Sequence, residues 1–132
     1  MPAAADVHGT ALKDASVTCL ARVVGNDASE IQQADISSGV YSVYLLDDND
    51  ADSRTAVTGH AAGELTIASV IFDTLQTDDL WTVDSTGYNF KHVLDVSSNQ
   101  AFATAGRRFL VEYTLTPASG QLIKVRFRVN VI

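Results

Sequence analysis

Three segments near the C-terminal end of this chain alternate apolar and polar residues with a period of two. In the first, Tyr88, Phe90, His92, Leu94 and Val96 share one face of an extended chain. Asn89, Lys91 and Asp95 share the other, and Val93 is the exception. In the second, Phe109, Val111, Tyr113 and Leu115 alternate with Leu110, Glu112, Thr114 and Thr116. In the third, Ile123, Val125, Phe127, Val129 and Val131 alternate with Leu122, Lys124, Arg126, Arg128 and Asn130. Successive side chains of a strand point to opposite faces, so this period predicts antiparallel strands with one face on a core and one in water. Pro117-Ala118-Ser119-Gly120 separates the last two segments and reads as a hairpin turn.

Upstream, Val17 to Val24 reads as a first strand and Gly25-Asn26-Asp27 as a turn. Ala28 to Ile36 fits either a short helical turn or an extended crossing. Gly39 to Leu46 reads as a strand that runs into an acidic loop, Asp47 to Asp52. Leu65 to Leu75 is apolar but changes phase near Ala68-Ser69, which predicts a bulge or two short strands. Thr77 to Gly87 is an irregular connection holding the single tryptophan, Trp81. About seven short strands with regular turn signals and no long helical period predict an all-β fold, a β-sandwich, with a small barrel as the alternative. Residues 1–15 show no sustained period and read as a flexible N-terminal arm; residues 16–132 form the sandwich domain. The last strand is expected to pin the C-terminus in a sheet and leave the N-terminus free.

A length of 132 residues fits one domain and suffices for a core without staples. The 16 acidic residues outnumber the 9 basic ones, for a net charge of −7. An acidic chain repels phosphate backbones, which disfavours general nucleic-acid binding. The apolar runs are too short to span a membrane, so no membrane partner is expected. The N-terminus lacks the basic start and apolar stretch of a signal peptide. Cys19 is the only cysteine, so no internal disulfide forms; its strand-like surroundings predict a small buried hydrophobe rather than a nucleophile.

Little else carries chemistry. His8, His60 and His92 lie far apart with no metal-ligand spacing, so no metal site is expected of them. His92 shares a face with Tyr88 and Phe90 and reads as a core or rim residue needing a local hydrogen-bond partner. Asp48, Asp50 and Asp52 match the opening ligands of a calcium loop. Ser53 and Gly59 stand where such a loop needs its glycine and its closing glutamate, which leaves these aspartates weak calcium candidates. No nucleophile elbow, phosphate loop or positioned carboxylate pair occurs, so no catalytic residue, no cofactor and no enzymatic function are expected. Lys124, Arg126 and Arg128 form a cationic stripe on the outer face of the last strand. They can pair with Glu112, protect a sheet edge, or dock an acidic surface of a neighbouring subunit, which makes them the candidate protein-interaction residues.

Residues 36–131 resemble β-sandwich modules of phage and prophage structural proteins. The markers are Asp73-Thr74-Leu75, Trp81, Gly87-Tyr88-Asn89-Phe90, the Ala105-Gly106 turn before Phe109-Leu110-Val111-Glu112-Tyr113, and Thr116-Pro117-Ala118-Ser119-Gly120. The segment is similar to the N-terminal domain of phage baseplate upper proteins, and it looks like the approach to a late strand in fibronectin type III or immunoglobulin-like domains. The resemblance implies an immunoglobulin-like antiparallel sandwich and a bacteriophage virion structural protein: a capsid decoration, neck or connector, or tail or baseplate component. It implies partners among other virion proteins and copies of the same chain, in a homo-oligomeric assembly built in the host cytoplasm. The alternative is a bacterial adhesion or carbohydrate-binding module that uses Trp81 as a stacking platform.

Overall fold

The computed structural model describes residues 7–25, 29–47, 49–50 and 53–132. In chain order the strands are β1 (Val7–Ala11), β2 (Thr18–Ala21), β3 (Ile36–Leu46), β4 (Arg54–Ala56), β5 (Gly63–Glu64), β6 (Ile71–Gln76), β7 (Tyr88–Val93), β8 (Arg108–Pro117) and β9 (Ile123–Val131). A single helical turn, α1 (Ile67–Val70), precedes β6, and a short 3-10 turn, Gln33–Asp35, precedes β3. None of these helices is long and apolar enough to cross a membrane.

The second and third alternating segments, β8 and β9, lie inside the larger sheet, and the first, β7, is the central strand of the smaller one. β8 and β9 pair antiparallel from Arg108↔Asn130 to Leu115↔Ile123, closed by the predicted Pro117–Gly120 turn. β3 pairs antiparallel with the other side of β8, and β4 and β5 both pair with β3. The full order is β1-β9-β8-β3-β4, with β5 beside β3; the second sheet is β2-β7-β6. The inward row Phe109, Val111, Tyr113 and Leu115 is buried throughout, as is Val125, Phe127, Val129 and Val131 on β9. The two sheets meet through aromatic edges: Phe90 of β7 stands 4.8 Å from Tyr113 of β8, which stands 5.7 Å from Phe127 of β9. Such T-shaped contacts place positive ring edges on negative ring faces.

Several expectations are corrected. There are nine strands among the described residues rather than about seven. Residues 7–11, expected to belong to an arm, form β1 and pair parallel with β9 from Val7↔Phe127 to Ala11↔Val131. The sandwich is therefore not purely antiparallel, and β9 is not an edge along Phe127–Val131. Parallel neighbours need no hairpin, so no turn signal announces this pairing. The phase change near Ala68-Ser69 is neither a bulge nor a strand break; α1 rotates the chain between β5 and β6.

Entry into β7 depends on Gly87. Its φ is +109, and a Cβ there would lie 2.5 Å from the Gln76 carbonyl oxygen. Only glycine fits both the left-handed backbone and the close approach of β6.

Candidate functional site

Two groupings gather the chemistry of the molecule: a polar cluster between the sheets and the outer face of the larger sheet.

The cluster centres on Tyr41 of β3 and Tyr113 of β8, opposed in register and both facing β7. The ring of Tyr41 lies 4.9 Å from that of His92 and 5.9 Å from that of His60. His60 is buried, with Nε2 2.8 Å from the Asn99 carbonyl oxygen and Nδ1 2.9 Å from the Tyr41 hydroxyl. A carbonyl only accepts, so Nε2 carries the proton of the neutral ring and Nδ1 accepts from Tyr41. On the other side of Tyr41, His92 Nδ1 lies 2.8 Å from the Tyr113 hydroxyl, which also hydrogen-bonds the buried Cys19 thiol.

This arrangement holds protons. Burial pushes the Cys19 thiol up to about 11, with the Tyr113 hydrogen bond opposing more weakly, so thiolate is scarce at neutral pH. Burial likewise raises Tyr113 far above its ordinary value, followed by the nearby Cys19. His92 is lowered, first by burial and then by His60. The core-or-rim expectation for His92 and the buried-hydrophobe expectation for Cys19 both agree with these positions. Sequence reasoning left His60 apart from His92; Tyr41 stands between them, a convergence with no signal in the spacing. Among the described residues, no three His, Cys, Asp or Glu side chains gather in a geometry that could hold a metal ion.

The lowered His92 predicts a pH dependence. The unfolded chain takes up a proton near its ordinary value of 6.5 while the folded chain resists. Between those two values the unfolded state binds more protons, so stability falls as pH falls. Thermal melts should be level from about pH 6.5 to about pH 8 and decline below that window, and His92→Gln should flatten that first decline. An unchanged profile in the variant would assign the decline to other groups. A later acid step is expected from Asp84. Hydrogen bonds from Trp81, the Gly87 amide and Arg22 hold its carboxyl well below the usual range, so its contribution is lost progressively as pH falls from its ordinary value of 3.8 through that depressed value.

The outer face of the larger sheet is cationic. By register Lys124, Arg126 and Arg128 of β9, Arg108 of β8 and Arg54 of β4 share this face with two carboxylates, Glu112 of β8 and Glu64 of β5. Lys124, Arg126 and Arg54 approach Glu112 at 3.5, 3.7 and 3.9 Å. Lys124 also donates to Thr114 Oγ1 at 2.8 Å. The Arg54 guanidinium lies 4.1 Å from the centre of the Tyr44 ring, a cation–π placement that flattens it on the sheet. Pairing with Glu112 thus occurs as expected, and Arg54 joins from a strand the sequence did not signal. Each exposed pair is worth about 0.2–1 kcal/mol, so their local role is small. What remains is a field: five positive groups against the two carboxylates Glu112 and Glu64, on a chain whose net charge is −7.

The remaining candidates lie elsewhere. Of the calcium candidates, Asp48 and Asp52 fall outside the described residues, and Asp50 is exposed beside them. Trp81 is half-buried, its ring 5.6 Å from Tyr88 and its indole N–H donated to Asp84 at 2.9 Å. No protein-family model matches this chain, and no curated protein or solved structure matches it either.

Proposed function

We propose that this chain is a non-enzymatic structural subunit of a phage virion, a capsid decoration, neck or connector, or tail or baseplate component, working through protein–protein contacts in a multi-copy assembly. The observation that carries the proposal is the segregated charge. One sheet face gathers Arg54, Lys124 and Arg126 around Glu112 and adds Arg108 and Arg128 by register, while the chain as a whole is acidic. Complementary fields of this kind steer and orient protein partners. The resemblance of residues 36–131 to phage structural modules points the same way.

The strand order supports an immunoglobulin-like form of the sandwich. Reading β2, β3, β4, β6, β7, β8 and β9 as strands B, C, C′, D, E, F and G gives the sheets B-E-D and G-F-C-C′, the variable-type arrangement less its outer strands. Cys19 on β2 then sits on strand B, and its thiol meets Tyr113 on strand F, where antibody domains join the two sheets by a disulfide. For the adhesion alternative Trp81 would have to offer an open ring; its packing on Tyr88 and its bond to Asp84 favour a structural role.

Mass spectrometry of purified particles from the parent phage tests the proposal. The chain should be found at a fixed stoichiometry to the capsid or tail protein. Its absence from infectious particles would end the virion assignment.

A further inference from the structure

The acidic residues are not spread evenly over the rest of the molecule. Glu30 and Asp35 lie on the segment leading to β3, and Asp73 lies on β6, where its carboxylate accepts from the Gln33 amide at 2.7 Å. All three border one groove beside the smaller sheet, together with Phe72 and Leu75. Asp78, Asp79 and Asp84 follow on the loop leaving β6. Arg22 answers Asp84 at 2.8 Å. One layer of the sandwich thus presents bases on its outer face, and the other carries carboxylates along β6 and its flanking connections.

We propose that the cationic face of the larger sheet docks the carboxylate-bearing β6 side of a second copy, joining molecules head to tail. The inference rests on the assembly function proposed above and names its partner. Charge complementarity selects a second copy, because the chain carries both halves of the match on different layers. Two cationic faces would repel each other, so a two-fold contact through that face is disfavoured. A contact between unlike faces leaves one of each unused, so it propagates into a ring or a filament. The bases need not be unpaired for this. Glu112 is shared among Arg54, Lys124 and Arg126, and that sharing leaves positive charge in excess.

Sedimentation velocity on the purified full chain provides the test. At about 20 mM salt the average mass should rise with concentration, and at about 0.5 M salt it should return to the monomer, since screening lengths fall to a few ångströms. Two variants follow: Lys124→Glu with Arg128→Glu on the cationic face, and Glu30→Lys with Asp79→Lys on the acidic side. These choices leave Arg126 on Glu112 and leave Asp73, Asp78 and Asp84 in their hydrogen bonds. Each variant alone should stay monomeric. An equimolar mixture should associate again, since each variant keeps the face the other lacks and the two reversed faces complement each other. Circular dichroism checks folding, and Lys124→Gln with Arg128→Gln replaces the first variant if it unfolds. A monomeric wild type at low salt, variants that associate like the wild type, or a mixture that stays monomeric each overturns the proposal. So does a monomer that instead binds duplex DNA in a salt-sensitive way. All these readouts use the isolated chain, so they stand apart from whether the protein is found in particles.

Discussion

Asn89→Ala is expected to lower the unfolding free energy by about 3–5 kcal/mol in urea titrations, a large share of the roughly 5–15 kcal/mol available to a domain of this kind. Asn89 lies on β7 with its side chain directed away from the core, on a face that the alternating pattern assigns to water. It is nonetheless only 1% exposed. Its carbonyl oxygen accepts the Val23 amide at 2.7 Å, and its amide donates to the carbonyls of Val23 at 2.9 Å and Ile31 at 3.2 Å. The two ends of a loop are thus tied to β7 by one side chain that imitates a missing strand edge. Removing it strands two backbone groups without water, the Val23 N–H and the Ile31 carbonyl, each costing about 1–3 kcal/mol, while the Val23 carbonyl keeps its bond from the Ile31 amide at 3.1 Å. Asn89→Asp should also destabilise, because a carboxylate would then face two carbonyl oxygens. The exposed Asn130 on β9 serves as the control, with a change within about 0.5 kcal/mol on truncation to alanine. An Asn89→Ala variant as stable as that control would mean that the loop does not depend on this residue.

The second large effect is expected at His60. His60→Phe keeps a ring of similar breadth but removes the partners of the Tyr41 hydroxyl and the Asn99 carbonyl, at 2% exposure. A loss of about 1–3 kcal/mol is expected, the cost of two part-buried hydrogen bonds removed from the half-buried Tyr41 hydroxyl and the Asn99 carbonyl. Tyr41→Phe alone should cost about 1 kcal/mol, since its ring packing against His92 survives. In a double-mutant cycle the two changes should couple by about 1 kcal/mol, because they share one hydrogen bond. Additive losses would show that His60 acts through packing alone. The exposed His8 on β1, replaced by alanine, should change little.

Both residues mark where the fold stopped being legible. The inward rows of β8 and β9, their hairpin and the outward run of β3 into its acidic loop could be read directly, because each depends on one strand and its own turn. The pairing of Lys124 and Arg126 with Glu112 was legible for the same reason: once the hairpin register is set, those side chains share a face. β1 was not legible. Its five residues Val-His-Gly-Thr-Ala alternate weakly, and four of the five are exposed, so little apolar pattern survives to announce a strand. What makes it a strand is a parallel neighbour far along the chain, β9. α1 was read as a fault in a strand because a single helical turn is shorter than the window over which a helical period can be recognised.

The candidate surface divides the same way. The stripe Lys124, Arg126 and Arg128 stood out as alternate residues of one strand, but Arg54 and Arg108 joined it only when β4 and β8 were placed beside one another through β3. On the acidic side Asp73, Asp78, Asp79 and Asp84 are neighbours in sequence, but Glu30 and Asp35 join them only in the tertiary structure, where they border the same groove as Asp73.

For this protein the sequence alone determined which residues of each long strand point together, and so the all-β class and one face of the core. That follows from a backbone property: side chains of an extended chain alternate, whatever surrounds them. The tertiary structure alone decided whether the second face of a strand meets water or another segment. Asn89 is buried because Val23 and Ile31 lie against β7, and His60 meets Tyr41 because the loop after β4 folds back against β3. Those choices depend on where distant parts of the chain come to rest, and no local period records them.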